Sequence, residues 1–184
     1  EDPLDYAAMR KNPAQFLIVA EEAVSGKPHY FTKDDIRQDD YRVLMASSTL
    51  PGVNRPFEIG GTLYYDGALA DPVPIEKAFA EGCERVVLIL TKPTNVLRQP
   101  GKDPLFARWI RKSYPRSAQN LLKRAERYNA SVARAKEYAK QGRLLLIAPE
   151  NTEGVSTLSR NSADMERLYH HGYRDGEQIL AWFA

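Results

Sequence analysis

Asp66 and Gly67 sit in the stretch YYDGALADPVPI, Tyr64–Ile75, where a β-prone run ends and the chain returns through Pro72 and Pro74 to an apolar residue. An aspartate in that place has two readings. Asp-Gly between β-prone pieces is common turn chemistry, because glycine adopts backbone conformations that a Cβ would strain. A carboxylate held at a strand end can also take the proton of a hydroxyl nucleophile, which makes Asp66 a candidate general base. On the first reading Gly67 serves a positive-φ turn; on the second it allows close approach to a substrate.

The remaining reactive residue types offer less. His170 and His171 are adjacent on an expected helix and point in different directions, and His29 stands alone in an expected hairpin, so no metal site is foreseen. The single cysteine, Cys83, excludes an intramolecular disulfide and is expected as a small core residue rather than a nucleophile. None of the eleven glycines opens a G-x-S-x-G nucleophile elbow; GYRDG, Gly172–Gly176, lacks the serine. No G-x-G-x-x-G or Walker loop is present either. Asp71 reads better as a helix cap than as a second carboxylate. Leu50, Pro51 and Phe57 suit either an apolar pocket or the core.

Alternating elements must position these residues. Residues 15–20 read as a buried strand, followed by a turn at SGKP and a returning strand at His29–Thr32, a hairpin. Residues 39–47 read as a short helix stopped by Pro51 and Gly52, and FEIGGTLYYDG as a second hairpin around Gly60 and Gly61. A short helix ending at Gly82 leads to a buried strand at 85–91, the strand-helix-strand order of a parallel sheet. Helices are then expected at 106–114 and 117–141, the second with apolar residues at Ala118, Leu121, Leu122, Ala125, Tyr128, Val132, Ala135 and Ala139. RLLLIAP adds a strand, and residues 162–183 a last helix. The expected class is α/β, in one domain, with no internal repeat and no dividing linker.

Composition bounds the setting. The 184 residues are 43% hydrophobic and 27% charged, the proportions of an ordinary globular domain. FLIVA and VVLIL fall far short of the roughly 20 apolar residues that a membrane-spanning helix needs. With one cysteine, a reducing compartment and a cytoplasmic location are the expectation. The net charge of +2 conceals a basic middle: from Lys102 to Arg143 there are twelve Lys or Arg against Asp103, Glu126 and Glu137. Such a region suits either a solvated helix face or contact with anionic lipid headgroups. Nucleic acid is the poorer partner, since no stacking aromatics interleave with the bases.

Taken in order, ASSTLPG (Ala46–Gly52), YYDGALADPVPI, a helix ending at Gly82 and VVLIL resemble the C-terminal half of the catalytic domain of patatin-like phospholipases, particularly the bacterial branch. FLIVAEEAVSGKPHYF before them and GRLLLIAPE and LYHHGYRDG after them fit the same pattern. The resemblance implies a three-layer fold with a mainly parallel sheet between helices. It implies a serine-aspartate dyad that hydrolyses acyl esters of lipids without metal or organic cofactor, and it makes Asp66 the aspartate. The family's serine elbow and glycine-rich oxyanion loop precede the region that is matched here, and the sequence opens at EDPLDY without methionine. On this reading residues 1–184 are the C-terminal portion of one hydrolase domain. The portion is expected to be inactive alone and to associate with itself or with the missing half. The alternative is a non-enzymatic module that binds anionic membranes through residues 102–143.

Overall fold

The computed structural model describes residues 4–152, 154–155 and 161–184. They form two units, Glu1–Pro72 with Gln99–Arg127, and Val73–Arg98 with Tyr128–Ala184.

The first unit is built on an antiparallel sheet. Strand β1 (Leu17–Glu22) returns through the SGKP turn to β2 (Pro28–Thr32), with Gly26 at φ 68°. Strand β3 (Phe57–Ile59) returns to β4 (Thr62–Asp66) through Gly60 and Gly61, whose φ values of 58° and 81° are what a two-residue turn of the primed type requires. β1 then pairs with β4, giving the order β2-β1-β4-β3.

Period-2 alternation decides what each face of this sheet buries. Ile18, Ala20, Phe31 and Tyr64 pack with Val43 and Ala46 of helix α2 (Arg42–Ser47), and with Tyr6 and Met9 of helix α1 (Tyr6–Lys11). Tyr65, one residue on from Tyr64, faces the other way. It packs with Leu69, with Ala107 and Ile110 of the helix Asp103–Ile110, and with Ala118 and Leu121 of the helix Pro115–Lys140. Helices therefore cover both faces of the sheet.

In the second unit, helix α3 (Ile75–Ala80) leads to β5 (Val86–Ile89), which pairs in parallel with β6 (Leu144–Ile147). Following α3 in chain order, the helices Asp103–Ile110 and Pro115–Lys140 are α4 and α5. Val73, Ile75, Ala135 and Leu144 form this unit's core, with Tyr128, Tyr138 and Ala139 against it. Gly142, at φ 69°, ends α5 in the left-handed conformation common after a helix.

The class is α/β, as expected, and one sheet is parallel. The expected predominance of parallel pairing is corrected: the four-stranded sheet is antiparallel throughout. Two of its three pairings have a local reason, because a hairpin's tight turn can only reverse the chain; the third, β1 with β4, joins the two hairpins over a long range. The final helix is also corrected. It is two helices, α6 (Ser162–Gly176) and α7 (Gln178–Phe183), meeting at Glu177, and neither has a buried residue. Cys83 is exposed rather than in the core, since it lies in the turn after α3 with its N–H on the carbonyl of Ala78.

Candidate functional site around Asp66

Asp66 is the last residue of β4, opposite Ala20 of β1, and it caps the 3-10 turn Gly67–Leu69 that follows. Its Oδ1 accepts the N–H of Ala68 at 2.8 Å, and its own N–H donates to the carbonyl of Thr49 at 2.9 Å. Both bonds act on short range and fix the Cα and one carboxylate oxygen together. The expected hairpin-type turn at Asp-Gly is therefore replaced by a cap, while the primed turn sits at the other end of the strand.

ASSTLPG supports this arrangement from the side. Ser47, at the end of α2, donates its hydroxyl to the carbonyl of Val19 at 2.6 Å, and Thr49 Oγ1 donates to the carbonyl of Met45 at 2.7 Å, turning the loop so that its own carbonyl meets Asp66. Thr49 is buried. Ser47 thus holds the scaffold, its hydroxyl committed to the backbone, and Ser48 is exposed.

Gly67 has a different reason from either expected one. Its φ is not positive, and a Cβ there would lie 2.3 Å from the carbonyl oxygen of Val19 and 2.6 Å from its carbon. The close approach is to β1. Only a residue without a side chain lets the turn after Asp66 press onto the neighbouring strand.

A buried polar chain, invisible in the sequence pattern, holds the turn from the α5 side. Glu21 of β1 is wholly buried and its Oε2 accepts from Asn120 Nδ2 at 2.7 Å; the same amide donates to the carbonyl of Gly26 at 2.8 Å. Asn120 Oδ1 in turn accepts from Arg127 Nη2 at 3.1 Å, and Arg127 Nη1 donates to the carbonyl of Leu69 at the end of the 3-10 turn. Ser117 closes the set by donating to the carbonyl of Ala23 at 2.8 Å. Burial raises the Glu21 carboxyl above the ordinary carboxylate range, and the charge of Asp66 adds to this, against Ser117, Asn120 and Arg127, which favour ionisation. Glu21 Oε1 has no hydrogen-bond partner among the described residues. A glutamate inside the apolar run FLIVAEEA was the available signal; its partners are 99 and 106 positions away in sequence, Asn120 and Arg127 respectively.

Asp71 is not a helix cap. It accepts the phenolic hydroxyl of Tyr30 at 2.6 Å, while α3 begins four residues later behind Pro74 without a side-chain cap. Burial first, and then this bond to Asp71, push the Tyr30 hydroxyl well above its ordinary pKa. Phe57 packs on the core cluster of α2, Pro51 is buried and Leu50 is exposed. Among the described residues no group of three or more His, Cys, Asp or Glu side chains could hold a metal, and no helix is long and apolar enough to cross a membrane.

Residues 7–79, which contain Asp66 and every strand of the first sheet, match the model of the patatin-like phospholipases. Through that segment the chain is similar to the patatin-like phospholipases. Residues 114–184 match a second model, described as Domain of unknown function (DUF6363). Over 139 residues the chain is 30% identical to the "Uncharacterized protein YjjU" of Escherichia coli (strain K12). The match takes in 68% of this chain and 38% of that protein, so the chain spans less than half of the relative's length.

Proposed function

We propose that this chain supplies the base of a serine-aspartate dyad in a patatin-like lipid acyl hydrolase, and that Asp66 is that base. The observation that carries the reading is the way Asp66 is held. It closes a central strand inside the matched segment 7–79, with its backbone tied to Thr49 and its carboxylate set by the cap on Ala68. A serine hydroxyl becomes a nucleophile when an adjacent base accepts its proton, and a fixed carboxylate can do that and later help deliver water to the acyl-enzyme. No serine elbow of the G-x-S-x-G form occurs in these residues. The nucleophile and the oxyanion donors accordingly belong to other residues of the protein, and these 184 residues alone do not turn over ester.

On this reading residues 1–184 are the C-terminal portion of the hydrolase domain, associating with the nucleophile-bearing portion in a cytoplasmic, cofactor-free enzyme that meets its lipid at a membrane surface. The test is esterase activity of the full-length protein on a short-chain ester with and without Asp66→Asn. Loss of turnover with retained folding supports the assignment, and full activity refutes it.

A further inference from the structure

We infer that the exposed face of α4, with the loop carrying Val53 and Arg55, is a docking surface for an anionic lipid bilayer. The inference rests on the lipid-hydrolase reading for its biological sense but not for its observations. Leu105 and Trp109 are one helical turn apart on α4 and are 46% and 60% exposed, and Val53 is 63% exposed. Val53, Arg55 and Trp109 line one open cavity of about 520 Å³, so the loop and the helix form a single face. The Trp109 ring is set edge-on to Phe106 at 5.5 Å. Phe106 in turn fills the space that a Cβ on Gly52 would occupy, at 2.5 Å. The indole is therefore held at the surface by packing beneath it.

Charge settles the partner. Half of the basic middle segment is engaged within the protein. Arg124 binds Asp103 through two bonds of 3.0 and 2.6 Å, Arg127 the Leu69 carbonyl, Arg134 Glu76, Lys136 the Thr94 carbonyl, and Lys140 Glu137; Arg143 lies over the Phe79 ring. The other six, Lys102, Arg108, Arg111, Lys112, Arg116 and Lys123, are exposed and make no ion pair among the described residues. Asp103 is the only acid between positions 102 and 123, and it is buried against Arg124. A cover of folded protein would have to desolvate these cations, which is costly without carboxylates to meet them. A nucleic acid would leave Leu105, Trp109 and Val53 without function. At a bilayer surface all are used: the indole sits at headgroup depth, the aliphatic side chains enter the acyl boundary, and the bases meet phosphates.

Co-sedimentation of the full-length protein with vesicles of phosphatidylcholine alone, or with phosphatidylglycerol added, tests the surface. Binding is expected only to the anionic vesicles and should weaken as salt rises. Arg111→Gln with Lys112→Gln should lower the partition coefficient about thirtyfold, and Trp109→Ala about tenfold. The paired charge variant alters only exposed side chains, so it keeps the test valid should Trp109→Ala disturb Phe106. Absent or salt-insensitive binding overturns the proposal, as does binding unaffected by either variant. Salt-sensitive capture of a single-stranded oligonucleotide with the same residue dependence and no vesicle binding overturns it in favour of nucleic acid. Hydrolysis of a water-soluble ester by the same protein reports the Asp66 reading separately. Ester cleavage dependent on Asp66 without vesicle binding removes the docking face and leaves the dyad; vesicle binding with Asp66-independent cleavage does the reverse.

Discussion

The two ends of β4 both carry glycine, and for opposite reasons. At its start, Gly60 and Gly61 take positive φ with nothing within 4 Å of where a Cβ would stand. At its end, Gly67 has no unusual φ and no room, with the Val19 carbonyl 2.3 Å from a would-be Cβ. One end needs a conformation, which several residues approximate; the other needs an absence of atoms, which nothing else supplies. The first sets register and the second sets the position of a carboxylate. A turn glycine next to a functional residue is thus better diagnosed by what lies across from it than by its dihedral.

The contrast can be tested by mutation, in falling order of expected effect. Asp66→Asn in the full-length protein should lower ester turnover by about a thousandfold, within the range typical of removing a positioned base. Because it keeps the acceptor that caps Ala68, its thermal midpoint should stay near the parent's; a large fall would mean that the carboxylate serves the fold instead. Gly67→Ala should cost about 3 kcal/mol of stability, since backbone rather than a flexible side chain must yield. Urea titration reads this, and a cost below that of the next variant would erase the distinction between the two ends. Gly61→Ala should cost about 1 kcal/mol, the strain of a Cβ at left-handed φ, and Gly60→Asn nearly nothing, with activity on a short-chain ester intact in both.

A small, pH-dependent effect concerns the polar chain behind the turn. Glu21 has a raised carboxyl pKa in the folded state, so the neutral form is favoured there. The associated stability is full below the ordinary carboxyl pKa and is lost as pH rises through the raised value. Glu21→Gln keeps an acceptor for Asn120 without the charge. It should match the parent's thermal midpoint in acid and exceed it slightly above neutrality. A midpoint below the parent's at pH 8 would mean that the ionised form is structurally required.

How far the sequence disclosed this depended on range. Hairpins at SGKP and Gly60-Gly61, the short helix Arg42–Ser47 and the separate strands β5 and β6 follow from turn residues and apolar periodicity within a dozen positions, whereas the pairing of β5 with β6, 58 positions apart, does not. Asp66 stood out only through a resemblance of ordered motifs; the Asp-Gly pair itself allowed a plain turn. The antiparallel pairing of β1 with β4 was not legible, because 46 positions separate Ala20 from its partner Asp66; nothing local encodes that partner. Glu21, Asn120 and Arg127 were missed for the same reason. Helices α5 and α6 show the limit of amphipathic spacing. Ala118, Leu121, Ala125, Val132 and Ala135 of α5 are buried, whereas Met165, Tyr169 and Tyr173 of α6 are 43%, 66% and 68% exposed. Spacing identifies a face that wants a partner but does not say which one covers it.

The carbonyl of Val19 receives the Ser47 hydroxyl on one side and the bare backbone of Gly67 on the other. It thereby acts as a datum from which the last turn of α2 and the turn after Asp66 are both measured. Most atoms in that alignment are main-chain, so the geometry around Asp66 is insulated from side-chain drift in the surrounding core. Substitutions at Ile18 or Tyr64 can loosen the sheet while leaving the carboxylate where it was, but a single methyl at position 67 moves the reference itself.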